Sequence, residues 1–256
     1  PRVELDDRLL VTPPVALEQC KRLVCRMAKD TVGAFKESLS CLERYDDALA
    51  AHVRKVESET DHYEDILGTY LTKLCRQQIT AEDSRTVSEL LKVIGDFERI
   101  SDHSVNLLES AEEMRKKSME FSAPAKEELH TMCMALDEIL SITLDAFVNN
   151  DLQKASQVEP LEQVIDVLKA NLRNSHIVRL KNGECTVEAG FVWSDLLTNL
   201  ERSSDHCSNI AVCVIDMHEH NMNSHECLRH IKNDSDFFKE KYEQYLSMSA
   251  LAHSNR

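Results

Sequence analysis

The segment Asp96-Phe-Glu98-Arg99-Ile-Ser101-Asp102-His103-Ser-Val-Asn106 recurs as Asn199-Leu-Glu201-Arg202-Ser-Ser204-Asp205-His206-Cys-Ser-Asn209, with Glu, Arg, Ser, Asp, His and Asn kept in both copies. The offset is 201 − 98, or 103 residues. Self-similarity at a fixed offset marks a duplicated structural unit, so the chain is expected to fold as two similar halves. The period leaves room for three helices per half.

Five Gly and five Pro in 256 residues supply few turns, which favours long helices with short connections over strands. Apolar positions Leu17, Cys20, Val24, Met27, Val32, Phe35 and Leu39 follow helical spacing from Pro13-Pro14 to about Tyr45. A second helix is expected from Asp47 to about Arg76. A third opens at Thr80-Ala-Glu-Asp83 and ends near Met119. The series restarts with helices over 122–149, 151–180 and 186–219, separated by the turn Lys181-Asn-Gly183. Pro160 either kinks the middle one or marks its start, because it lacks a backbone donor. Residues 222–248 read as an extra amphipathic helix carrying Phe237, Phe238, Tyr242 and Tyr245. The predicted architecture is all-α: a three-helix bundle over 12–119, a second over 120–220, and a C-terminal helix and tail over 221–256.

A formal net charge of −15 and the lack of a Lys/Arg cluster with interleaved aromatics argue against nucleic acid as a partner. Nine scattered Cys without a C-x-x-C pair read as reduced cytosolic thiols. No apolar run is long enough to span a bilayer and no signal peptide is evident, which points to the cytoplasm. A first residue of Pro1 rather than Met suggests an excised domain, with a membrane part conceivable upstream. His218, His220, His225 and His230 read as surface residues.

Within the repeat, Glu98 and Asp102 stack on one helix face, as do Glu201 and Asp205, and like charges so placed cost roughly 0.2–0.5 kcal/mol per pair unless compensated. Ile94, Glu98, Ser101 and Val105 share that face, so the acids border the apolar stripe and approach a neighbouring helix. The second helix of each half offers matching pairs, Glu57/Asp61 and Glu162/Asp166. Two readings stand. Four carboxylates per half converge on a hard cation, with His103 and His206 tilting the choice toward a transition metal; or Arg99 and Arg202 neutralise the acids and the motif ties helices together. Asn106 and Asn209 are expected to hydrogen-bond rather than ligate.

At these motifs the sequence resembles the PhoU family, whose two three-helix bundles each carry an E/D-x-x-x-D signature. Leu5-Asp-Asp-Arg-Leu-Leu10, Pro14-Val-Ala-Leu-Glu18 and Cys185-Thr-Val-Glu-Ala-Gly190 look like the PhoU-type domain of bacterial sodium/phosphate cotransporters. Ser101 and Ser204 stand where the family usually has Gly. The resemblance implies multinuclear metal clusters at Glu57, Asp61, Glu98, Asp102, Glu162, Asp166, Glu201 and Asp205. Iron comes first among the metals, with Mg, Mn, Zn or Ca as alternatives. It also implies restraint of phosphate uptake rather than catalysis, with a sodium/phosphate transporter as partner and phosphate reached through the metal.

Two alternatives deserve a test. A ferritin-like di-metal oxidase is suggested by Glu59-x-x-His62 and Glu127-x-x-His130; a plain helical scaffold would need neither metal nor partner. The aromatic last helix also suggests a homodimer, since its side chains need cover.

Overall fold

The computed structural model describes residues 5–219 and 236–248, which contain helices and no strands. A 3-10 turn, Asp7–Val11, precedes α1 (Pro13–Glu43), α2 (Asp47–Cys75) and α3 (Ala81–Lys116). The second half repeats the order with α4 (Ala123–Val148), α5 (Leu152–Lys181) and α6 (Val187–Glu219). A final helix, α7, covers 236–248. The expected helices are present to within a few residues. The rest of the predicted last helix, together with His220, His225 and His230, lies outside the described residues.

Helix starts are set by local chemistry. Asp46 Oδ1 accepts from the N–H groups of Ala48 and Leu49 at 2.8 and 3.0 Å, and Thr80 Oγ1 accepts from Asp83 N at 3.0 Å. Such caps satisfy donors that the helix itself cannot and are each worth about 1 kcal/mol. Pro160 lies inside α5, between buried Val158 and Leu161, and therefore does not mark its start.

Within each half the three helices pack on one another, and the halves join through α3 against α6 and α1 against α4. One apolar core runs through both. Phe97 of α3 meets Phe147 of α4 edge-on with centroids 5.6 Å apart, and Val93, Ile100, Leu136, Ile139, Leu200 and Ile210 are all fully buried. Burying each such side chain contributes roughly 1.5–3 kcal/mol, so this apolar stretch of the seam binds the halves into one core. The aromatic residues of α7 find their cover within the chain. Tyr245 is buried and donates its hydroxyl to Glu138 of α4, while Phe237, Phe238 and Tyr242 pack against the core. Part of the cover that these side chains need is thus met within the chain.

Candidate metal centres on the two bundle faces

The repeated motif divides between two sides of its helix, because residues 96, 103 and 106 fall on one face and residues 98 and 102 on another. Glu98 and Asp102 look toward α2; Glu201 and Asp205 look toward α5. In the second half, Glu162, Asp166, Glu201 and Asp205 each offer an oxygen within 4.8 Å of the others. In the first half, Glu57, Asp61 and Asp102 form one such group and Asp61, Glu64 and Glu98 another, so Asp61 links the two. The structure thus brings together all eight carboxylates named from the sequence and adds Glu64. Its signal was present one helical turn after Asp61, but no counterpart in the second half drew attention to it.

The carboxyl groups strain against one another. Burial, a hydrogen bond donated by the protonated Glu98 to Asp102, and the charges of Asp102, Glu64 and Asp61 push Glu98 up to about 8. Burial, then hydrogen bonds with Asp205 and Asp166, push Glu162 up to about 9. Asp166 and Asp205 are raised by burial and by Glu201, against a hydrogen bond from Glu162 that lowers them, and Glu57 is raised by burial, Asp61 and Asp102. Such shifts mean that the grouped oxygens share protons where no cation neutralises them. Oxygen-only donors at this separation fit a hard cation.

Arginine compensates only from a distance: the charge of Arg99 acts on Glu64 against the burial and acidic neighbours that raise it. Arg99 and Arg202 are exposed and form no ion pair among the described residues. In the second half Lys169 does so instead, with Nζ 3.1 Å from Glu201 Oε2 and both side chains largely buried. With Glu57 and Asp61 aligned on Glu162 and Asp166, an offset of 105, Lys169 occupies the position of Glu64. One half therefore presents five carboxylates and the other four plus an ammonium.

His103 and His206 do not join these groups. The structure turns them to the opposite side of α3 and α6, where they stack across the seam with centroids 5.6 Å apart. His103 Nδ1 lies 2.8 Å from Asn199 Oδ1, and His206 Nδ1 lies 3.0 Å from Asp96 Oδ1. Asn106 Nδ2 donates to Asn199 Oδ1 at 3.1 Å and Asn209 Nδ2 to Asp96 Oδ1 at 3.4 Å, as expected of hydrogen-bonding residues. Their expected part in tilting the site toward a transition metal fails on geometry, because one residue along a helix from Asp102 or Asp205 is a turn of about 100°. The di-iron spacing fails similarly: Glu59 and His62 lie on α2, Glu127 and His130 on α4, and these two helices do not touch.

No helix among the described residues is long and apolar enough to cross a membrane. The chain matches the family model described as PhoU domain twice, over residues 24–111 and 129–214. It is similar to the phosphate-specific transport system accessory protein PhoU homolog 1 of Thermotoga maritima, with 25% identity over 79% of this chain and 87% of that one. It is also similar to YjbB of Salmonella typhimurium, a protein named for inorganic phosphate export, with 22% identity over 83% of this chain but only 39% of that one. The crystal structure of the phosphate transport system regulatory protein PhoU from Streptococcus pneumoniae superposes with a TM-score of 0.72 at 17% identity, covering 83% of this chain and 99% of that one. With its duplicated motif, two matching acidic faces and both halves covered by the family model, the chain belongs to the PhoU family.

Proposed function

We propose that this chain is a non-catalytic regulator of phosphate transport whose two carboxylate faces hold metal ions, iron foremost and Mg, Mn, Zn or Ca as alternatives. The observation that carries the metal half is the convergence of acids from two helices in each half, with Glu98 and Glu162 pushed up to about 8 and about 9. Bound metal supplies positive charge on a face that would otherwise repel phosphate. The chain's own residues do the rest: they fix the spacing of α2 against α3 and of α5 against α6. Neutralising the acids draws the helices of each pair together, and α3 and α6 transmit that change because they form the seam between halves.

The regulatory half rests on the relatives that are named as accessory proteins of phosphate-specific transport systems. The partner is a phosphate transporter, a sodium/phosphate cotransporter in this reading, and the site of action is its cytoplasmic face. Support comes from YjbB, named for phosphate export and more than twice as long as the matched region. The test is elemental analysis of protein purified without chelator, followed by titration with ferrous, manganous and magnesium ions. Retention or uptake that Glu98→Gln with Asp102→Asn reduces is expected. A protein that holds no metal and takes up none would remove the metal half, and a variant with unchanged transport control would remove its link to regulation.

A further inference from the structure

The duplication provides an internal reference for every position, and one region departs from it sharply. Where the first half buries Leu71, Leu74 and Leu90, the second places His176, Arg179 and Trp193 at the same offsets of 105 and 103. Arg179 is 2% exposed and its Nη1 donates to both oxygens of buried Glu128 at 3.0 and 3.1 Å. Its Nη2 is buried with no hydrogen-bond partner. An ionised pair in a position that leucine fills elsewhere returns little stability, so packing alone does not account for it.

Arg179 forms part of the wall of a cavity of about 310 Å³ that also exposes Ser122, Thr186, His176 and Trp193. Ser122 caps α4 and Thr186 caps α6, so two helix N-termini end at this cavity. The C-termini of α3 and α5 lie at the same end, and three carbonyls of each last turn accept from the chain that follows. Met119 N reaches Met114 O and Glu184 N reaches Arg179 O, both at 2.9 Å, with Ser118 (φ 51°) and Gly183 (φ 71°) making the left-handed turns that close each helix. The unpaired donor that remains is Arg179 Nη2, and a buried guanidinium edge without a partner beside two helix N-termini suits an anion. The carboxylates at the lip, Glu120 and Glu184, are exposed; one faces Lys126 at 3.7 Å and the other accepts from Asn182 at 3.2 Å.

We propose that this cavity binds a small oxyanion, inorganic phosphate or sulfate in chemistry, through Arg179 and the capping hydroxyls of α4 and α6, independently of metal on the carboxylate faces. Trp193 is the only tryptophan in the chain, and the Arg179 guanidinium lies 5.4 Å from its ring, so its emission reports on the site. The full chain is titrated with phosphate and with sulfate in the presence of chelator, at constant ionic strength set with chloride. A saturable emission change is expected, with slowed amide exchange over residues 118–122 and 185–190. Arg179→Leu with Glu128→Leu, which replaces the ion pair by apolar side chains and gives position 179 the leucine found at position 74, is expected to weaken the response at least tenfold. Gly190→Ala provides a variant that keeps the ion pair. Its added methyl would meet His176 Nε2 at 2.5 Å and force this cavity-lining ring to move, with the same expected weakening. No saturable response below about 50 mM of either anion, a fluorescence and exchange response unchanged by both variants, or exchange protection elsewhere would overturn the proposal. A response that requires added metal would also overturn it, while leaving the metal reading intact.

Discussion

Replacing Glu162 by Gln should stabilise the metal-free protein at pH 8 while weakening its hold on metal, two effects of opposite benefit from one atom change. Glu162 is raised from 4.5 to about 9 by burial first and by Asp205 and Asp166 next. Between those values the folded chain keeps a proton that the unfolded chain has released, so stability falls as pH rises through this window. At pH 8 the span is 8 − 4.5, or 3.5 pH units, and at 1.36 kcal/mol per unit it bounds the penalty at about 5 kcal/mol. Partial solvent access and the sharing of protons among three acids reduce this to about 1–2 kcal/mol. Glutamine keeps the shape and cannot ionise, so it removes the penalty. For a chain of this size the melting temperature should rise by about 2–8 °C at pH 8 and hardly change at pH 5. The assay is thermal unfolding by circular dichroism in chelator at both pH values, paired with metal titration. A Gln variant that melts lower than the parent at pH 8 would show that Glu162 serves as the anionic partner of a cation within the fold, and the electrostatic reasoning would fail.

Lys169→Met should raise metal affinity in the second half by about tenfold, about 1.4 kcal/mol, because an ammonium no longer competes for Glu201; calorimetric titration that finds equal or weaker binding contradicts this. Asp96→Asn should cost less than about 1 kcal/mol, since Asn199 already serves His103 by its amide oxygen, whereas Asp96→Leu strands His206 and Asn209 and should cost about 2–3 kcal/mol by denaturant unfolding. Phe97→Ala should cost about 3–5 kcal/mol and lower a single unfolding transition, because the ring is buried against Phe147 of the other half; two separate transitions by calorimetry would refute a shared core.

The fold was legible because helical periodicity and scarce turn residues act locally, and the repeat announced itself. The acidic pairs were legible for the same reason: an i, i+4 spacing fixes a face whatever lies opposite. What the sequence hid was rotational. His103 follows Asp102 directly, yet it belongs to the seam, and only the angle about the helix axis separates a ligand from an interface residue. Pro160 sits mid-helix for a related reason: the buried neighbours Val158 and Leu161 hold α5 against the core through it, outweighing one missing donor. Likewise Phe237 to Tyr245 looked exposed until the chain folded back on α4, a tertiary choice that no local pattern encodes.

Aligning the halves says more than either half alone. Where both copies keep a residue, as with Glu98 and Glu201, the duplicated geometry demands the same side chain twice. Where they differ, the shared backbone cancels and the difference isolates what the second copy does that the first does not. Glu64 against Lys169 changes the charge on a cation face, and Leu74 against Arg179 converts core into polar wall. Both substitutions put a cationic side chain into the second half, one against the acidic face and one behind the cavity at the α4 and α6 N-termini. The two halves are therefore electrostatically unequal on a nearly equal scaffold, and a ligand that reads charge would distinguish them.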